Sequence, residues 1–337
     1  MVRYQFKSLP LLCAILMQFI MCSMAYAQSR PEGLVGQYPA RPIRLLVGNA
    51  PGGGIDITAR AIAHKLGELW GRTIVVDNRA GGAGLIAIDL AAQATPDGYT
   101  LLVTSGSLIG SATAQRKLPY DTRTRLAGVN QLTAVCYMLM VNPTVPAKTV
   151  RELIALGKNK PATLHYGSSG IGGAGHLAGE LFSSMADIKL VHVPYKGGGQ
   201  VLVDMISGQV QLGFTATISA LPHVRSGKLR ALGVTCPQRV KAIPEFPTIA
   251  ESGLPGFQLV NWYGVFAPAK TPQAIIKALH LGTSQALLTP EVQAMFAKDG
   301  ADATASSDPA EFHRLFEKEV VMWEKIIKMP SFAPGLK

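Results

Sequence analysis

Four times along this chain a short apolar run of strand character gives way, through a cluster of glycines, to a segment with helical periodicity. The clusters fall at 52–54, 81–84, 167–175 and 197–199. Ile43-Arg44-Leu45-Leu46-Val47 reads as a buried strand. Beyond Pro51-Gly52-Gly53-Gly54, the apolar residues Ile55, Ala59, Ile62, Leu66 and Leu69 share one face of a helix that runs to Trp70. Thr73 to Asp77 reads as a second strand, Gly81-Gly82-Ala83-Gly84 opens an alanine-rich helix to about Ala94, and Pro96-Asp97-Gly98 turns the chain into a strand from Tyr99 to Thr104. Such a βαβαβ order predicts a parallel sheet covered by helices on both faces.

The order then restarts. A helix from Thr149 to Leu156 precedes a strand from Thr163 to Tyr166, and the loop Gly167 to Gly175 opens a helix to about Met185. A strand from Lys189 to Val193 leads through Gly197-Gly198-Gly199 into a helix from Gln200 to Ser207, with further strands at Val210 to Phe214 and Leu229 to Thr235. Three helices close the chain, Thr271 to Leu288, Pro290 to Lys298 and Pro309 to Lys328, each with a proline tolerated in its first turn. At roughly 150 residues per domain, 337 residues suffice for two. No low-complexity linker separates the α/β units, so two lobes joined by crossing strands are expected rather than independent beads.

The first 27 residues stand apart. Arg3 and Lys7 give a positive start, an apolar stretch follows from Leu9 to Met24, and Ala25-Tyr26-Ala27 carries small residues where a signal peptidase reads them. This pattern predicts a secretory signal peptide rather than a membrane anchor, because the stretch is short and the cleavage motif follows directly. Phe19-Ile20-Met21 before Cys22 lacks the small residue of a lipoprotein site. The product is expected to begin near Gln28, and no later stretch is long and apolar enough to span a membrane. Loss of Arg3 and Lys7 leaves 30 of the 32 basic residues against 21 acidic ones, a net charge of +9. That charge either aids solubility or attracts anions. Export and the lack of a basic run interleaved with aromatics exclude nucleic acid as the partner. Cys136 and Cys236 remain in the mature chain, either as one disulfide or as two buried thiols; spacing alone leaves both open.

Glycine-rich turns at helix starts suit an anionic ligand. Glycine lets a ligand approach the backbone, and the first N–H groups of a helix lack intrahelical partners and sit at the positive end of its dipole. A nucleotide site fits poorly, since Pro51-Gly52-Gly53-Gly54-Ile55-Asp56 is neither G-x-G-x-x-G nor a phosphate-binding G-x-x-x-x-G-K motif. Gly-Ser168-Ser169-Gly is not a nucleophile elbow, and His176 with Glu180 at i, i+4 lacks the H-E-x-x-H pattern of a zinc site. His64, His192 and His223 read as structural. Asp56 either complements the helix dipole or faces the ligand, directly or through the backbone that it orients. No cofactor, metal site or catalytic residue is expected, and the chain does not read as an enzyme.

The residues themselves resemble a known family. Tyr38-Pro39-Ala40-Arg41-Pro42-Ile43, Ala50-Pro51-Gly52-Gly53-Gly54 with Asp56, Asp77-Asn78-Arg79-Ala80-Gly81 and Pro96-Asp97-Gly98-Tyr99-Thr100-Leu101-Leu102 carry the resemblance in the first half. Leu118-Pro119-Tyr120-Asp121, Gly167-Ser168-Ser169-Gly170 with His176-Leu177-Ala178-Gly179-Glu180-Leu181, Val193-Pro194-Tyr195-Lys196-Gly197, Glu251-Ser252-Gly253-Leu254-Pro255-Gly256 and Trp262-Tyr263-Gly264 extend it. From about residue 38 onward the chain resembles the Bug-type (TctC-like) solute receptors of tripartite tricarboxylate transporters.

The resemblance implies an α/β protein of the type II periplasmic binding fold, with two α/β lobes around a ligand cleft: residues 28–131 plus 251–337 in lobe 1 and 132–250 in lobe 2. It implies a periplasmic, monomeric receptor that holds a small carboxylate (a dicarboxylate, tricarboxylate or aromatic acid) through ordered water and glycine-loop backbone. Its partners would be the permease subunits of the transporter or, in a sensing role, a membrane signalling protein. By position, Pro51, Gly52, Gly53, Gly54 and Asp56 would serve the ligand from lobe 1, with hydroxyls added by Ser105 and Ser107. From lobe 2 would come Ser168, Ser169, Gly170 and His176, with Pro194, Tyr195, Lys196, Gly197 and Gly198. The chain departs from the family at Asn49, where an aromatic is usual, at Gly81-Gly82-Ala83-Gly84-Leu85, at the apolar loop Ile171 to Gly175, and at Phe214-Thr215-Ala216-Thr217, which lacks an acid. A less acidic cleft suits a ligand without an amino group.

Overall fold

The computed structural model describes residues 38–114, 119–298 and 300–326; the expected signal peptide, 1–27, lies outside them, as does Leu118. The chain alternates as its pattern predicts. β1 (Ile43–Val47) is buried and leads into α1 (Gly54–Trp70), whose inner face is Ile55, Ala59, Ile62 and Leu66 and which ends at Gly71 in the left-handed conformation. β2 (Ile74–Asn78), a short 3₁₀ turn at Gly82–Gly84, α2 (Leu85–Ala92) and β3 (Thr100–Ser105) complete the first unit. After α3 (Gly106–Ala114) and α4 (Thr122–Arg125) comes β4 (Leu126–Val141), a strand of 16 residues. The second unit follows as α5 (Val150–Asn159), β5 (Leu164–Ser168), α6 (Ala174–Ala186), β6 (Leu190–Pro194), α7 (Gly198–Ser207), β7 (Leu212–Ala216), α8 (Thr217–Arg225) and β8 (Arg230–Val234). β9 (Val260–Pro268), α9 (Gln273–Leu287), α10 (Pro290–Lys298), β10 (Ala301–Ala303) and α11 (Pro309–Ile326) finish the described chain.

The strands run in the order β2-β1-β3-β9-β4-β7-β5-β6, with β8 and β10 also paired to β4. β1 is parallel to β2 and β3, and β5 to β6 and β7, as the βαβ pattern predicts. The sheet is nevertheless mixed, because β9 runs antiparallel to β3 and β4 antiparallel to β7, β8 and β9. These two strands, and α3 and α8, went unread in the sequence: β4 is apolar on both faces and so shows no alternation to detect. β4 is shared by both halves of the sheet. Its residues Leu126 to Cys136 pair with β9, and Tyr137 to Val141 pair with β7. Beyond Cys136, alternate residues feed different cores: Tyr137, Leu139 and Val141 pack with α1 and α6 residues, whereas Met138 and Met140 pack with Val201, Leu202 and Met205 of α7.

The register of β4 settles the cysteine question. Met138 lies opposite Val234 in an antiparallel ladder, so Cys136 faces Cys236 two residues on. The two form a disulfide across a Cα–Cα distance of 5.3 Å and 100 residues of sequence. The C-terminal helices pack on the β9 side of β4. His280 on α9 meets the carbonyl of Val129 through Nδ1 (3.1 Å), Asn130 donates to Thr283 (3.0 Å), and Phe312 of α11 stands edge-on to Trp262 of β9.

Candidate functional site

The loop between β1 and α1 is shaped from within. Asp56 is 3% exposed, and its carboxylate accepts from Gly52 N (3.0 Å), Asn78 Nδ2 (2.9 Å) and Arg60 Nε (3.0 Å). Asn78 also donates to the carbonyl of Asn49 at 3.0 Å. Burial by itself would raise the Asp56 pKa, but the hydrogen bonds from Arg60, Gly52 and Asn78 outweigh it and hold the group below the usual carboxylate range. The carboxylate therefore orients the Gly52 backbone, and Gly53 at the helix start has no capping side chain over the first N–H groups of α1.

A second loop meets it from the other half of the sheet. After β6, Ala50 N donates to Lys196 O at 2.9 Å, and Gly197 begins α7, again with no capping side chain. The approach is close enough to require glycine: a Cβ on Gly53 would lie 3.3 Å from Gly198 N, and one on Gly199 would collide with the Pro51 carbonyl.

Two cavities flank this contact. The smaller, about 20 Å³, is bordered by the starts of three helices: Gly53, Gly54 and Ile55 of α1, Gly198 of α7, and Ala216 with Ser219 of α8. Among the described residues, no side chain caps the start of any of these three helices. The phenols of Tyr137 and Tyr263 close its floor, both buried and both held neutral by that burial. The larger, about 280 Å³, is bordered by the Gly81 to Leu85 loop, by Leu108, Ser111 and Ala112 of α3, and by Ser169 to Ile171 facing Pro194 to Lys196. Ser169 borders both cavities. Three uncapped helix starts make the smaller cavity an environment that favours an anion.

The remaining expected residues lie behind these walls. Ser168 Oγ is 2.6 Å from His192 Nε2, and His176 accepts from Gly172 N through Nδ1 (3.1 Å). The rings of His176, His192 and Tyr166 form a stack with centroid spacings of 4.1 and 4.8 Å. Burial, with the neighbouring His192 as a second cause, pushes His176 down to about 3; burial pushes His192 down to about 4. Both rings are therefore neutral, and the stack braces the 168–176 loop. Ser105 and Ser107 are buried and 3.1 Å apart at their hydroxyls; Ser107 receives a bond from Asn261, and neither serine borders the two cavities. Pro51, Gly52 and Gly197 shape the loop contact without bordering either cavity. Leu108, Ser111 and Ala112 were not anticipated. Their i, i+3, i+4 spacing is the signal that a helix presents them on one face.

Comparison with known proteins agrees with this geometry. The family model described as tripartite tricarboxylate transporter family receptor matches residues 58–331. Protein BugT of Bordetella pertussis is 34% identical over 293 residues, covering 86% of this chain and 90% of BugT. An R. palustris protein solved with adipate superposes with a TM-score of 0.83 at 33% identity, covering 88% of this chain and 98% of that one. MatC from Rhodopseudomonas palustris with bound malate gives a TM-score of 0.81 at 29% identity, covering 86% and 100%.

Proposed function

Since this chain belongs to the receptors of the tripartite tricarboxylate transporter family and has the fold of the periplasmic binding proteins, we propose that it captures a small carboxylate and delivers it to the permease subunits of such a transporter. The observation that carries this reading is the convergence of three uncapped helix starts, from both halves of the sheet, on one cavity. Two similar proteins hold adipate and malate. The receptor is exported, its signal peptide cleaved near Ala27, and works in the periplasm as a monomer.

Residues 28–131 with 251–337 form one lobe and 132–250 the other, and they close about β4 and the segment that joins β8 to β9. Closure excludes water from the ligand and strengthens each hydrogen bond to it. Binding without chemistry accords with the site. The hydrogen-bonded pair Ser168 and His192 is not among the described residues that border the two cavities.

The test is thermal unfolding of the chain from Gln28 onward with mono-, di- and tricarboxylates, aromatic acids, amino acids and neutral sugars. An acid at 100 times its Kd stabilises the fold by about 2.7 kcal/mol, a rise of a few degrees in Tm. A response to at least one carboxylate and none to sugars is expected. A response to sugars alone would remove the carboxylate reading.

A further inference from the structure

Asn49 follows β1 and Thr215 lies in β7, so they reach the small cavity from opposite halves of the sheet. They are 4% and 2% exposed, and among the described residues neither Asn49 Oδ1 nor Thr215 Oγ1 has a hydrogen-bond partner. Buried polar atoms are almost always paired, because an unpaired one loses its hydration without compensation. That both of these residues border one small space points to a polar group that enters with the ligand. About 20 Å³ admits a single oxygen-sized group, for which roughly 10–15 Å³ suffices.

The larger cavity has the opposite character. Ala83, Leu85, Leu108, Ala112 and Ile171 contribute apolar walls, and the charged side chain among its described lining residues is Lys196, which is exposed at the rim. No Asp or Glu is among the described residues bordering either cavity, so a ligand ammonium would meet no counter-charge. A second or third carboxylate would be desolvated against Leu85, Leu108 and Ile171. A cavity of about 150 Å³ takes a benzene ring, so about 280 Å³ takes a ring with a substituent.

We propose that the ligand of this receptor is an acid whose body is uncharged and largely apolar, about as bulky as one substituted ring, and that Asn49 and Thr215 read its polar head from the two sides of the cleft. The proposal rests on the receptor reading above and names its ligand class.

Calorimetric titration of the mature protein with phenylacetate, phenylalanine, succinate and citrate tests it, together with two variants. Phenylacetate binds at least tenfold more tightly than the other three. Thr215→Val is close to isosteric and replaces an unpaired hydroxyl with a methyl group. Without ligand it melts at or above the wild-type temperature, yet it binds phenylacetate at least tenfold more weakly. Ile171→Asn, at a half-buried loop position, weakens phenylacetate several-fold and, by easing the desolvation of a second carboxylate, does not weaken succinate. Succinate or citrate binding as tightly as phenylacetate would overturn the ligand class and leave the receptor reading standing. Unchanged phenylacetate affinity in Thr215→Val would overturn the head-reading role. Silence from all four acids would overturn both.

Discussion

Asp56 and the two buried histidines each hold a neighbouring loop in place from within. The Asp56 carboxylate shapes the Gly52 turn, and its depressed pKa makes its contribution to stability present above the unfolded-state value near 3.9 and lost as the pH falls through the lower folded-state value. His176 and His192 act over a different range. Each is neutral when folded, with pKa values of about 3 and about 4, against roughly 6.5 in an unfolded chain. Between those values the unfolded state binds more protons than the folded state, so stability falls as the pH drops from about 6.5 toward 4. Denaturant midpoints measured from pH 7 to pH 4 should decline on that limb. In a His176→Asn, His192→Asn double variant the slope should flatten, and an unaltered slope would assign the decline to other groups.

At the scale of elements, the β1–α1 and β6–α7 turns are matched to each other. Gly53→Asp would place a carboxylate against Gly198 N and among three helix starts meant for an anion. Titration of this variant with any acid that binds the wild type should show at least a hundredfold loss, while wild-type affinity would exclude this loop from the site. The Cys136–Cys236 bond joins β4, where it changes partners, to the end of β8. Closing a loop of 100 residues restricts the unfolded chain, by up to about 4.7 kcal/mol in the chain-entropy model and typically about 2–4 kcal/mol. A Cys136→Ser, Cys236→Ser double variant should lose stability of that order in urea unfolding. An equal midpoint would mean that the β4–β8 ladder holds this junction unaided.

For the whole molecule, the proposed function has the two halves of the sheet move about β4, the strand they share. β4 is continuous through both, so a change in their relative orientation is confined to its partner-change point and to the β8–β9 connection. Small-angle scattering should therefore record a smaller radius of gyration when a tightly bound acid is added, with far-UV circular dichroism unchanged, because closure moves rigid halves. A constant radius across saturation would place the protein in its closed form before binding.

The sequence by itself determined the alternation of strands and helices, the glycine turns at helix starts and the family. Those are properties of neighbouring residues: periodicity in β1, α1 and α7, and uncapped turns such as 52–54 and 197–199. It placed Asn49, Thr215 and the 81–85 loop near the cleft without assigning them a role. What only the tertiary structure decided is non-local. The antiparallel pairing of β4 with β8 sets the cysteine register, and helix α3 brings Leu108 and Ala112 to the same cavity as Ile171 from the other half. Convergence of Asn49 and Thr215 on one small cavity depends on contacts between residues more than 160 positions apart. Local patterns record which face of an element is buried, but not what it is buried against, and the chemistry of this cleft resides in that second fact.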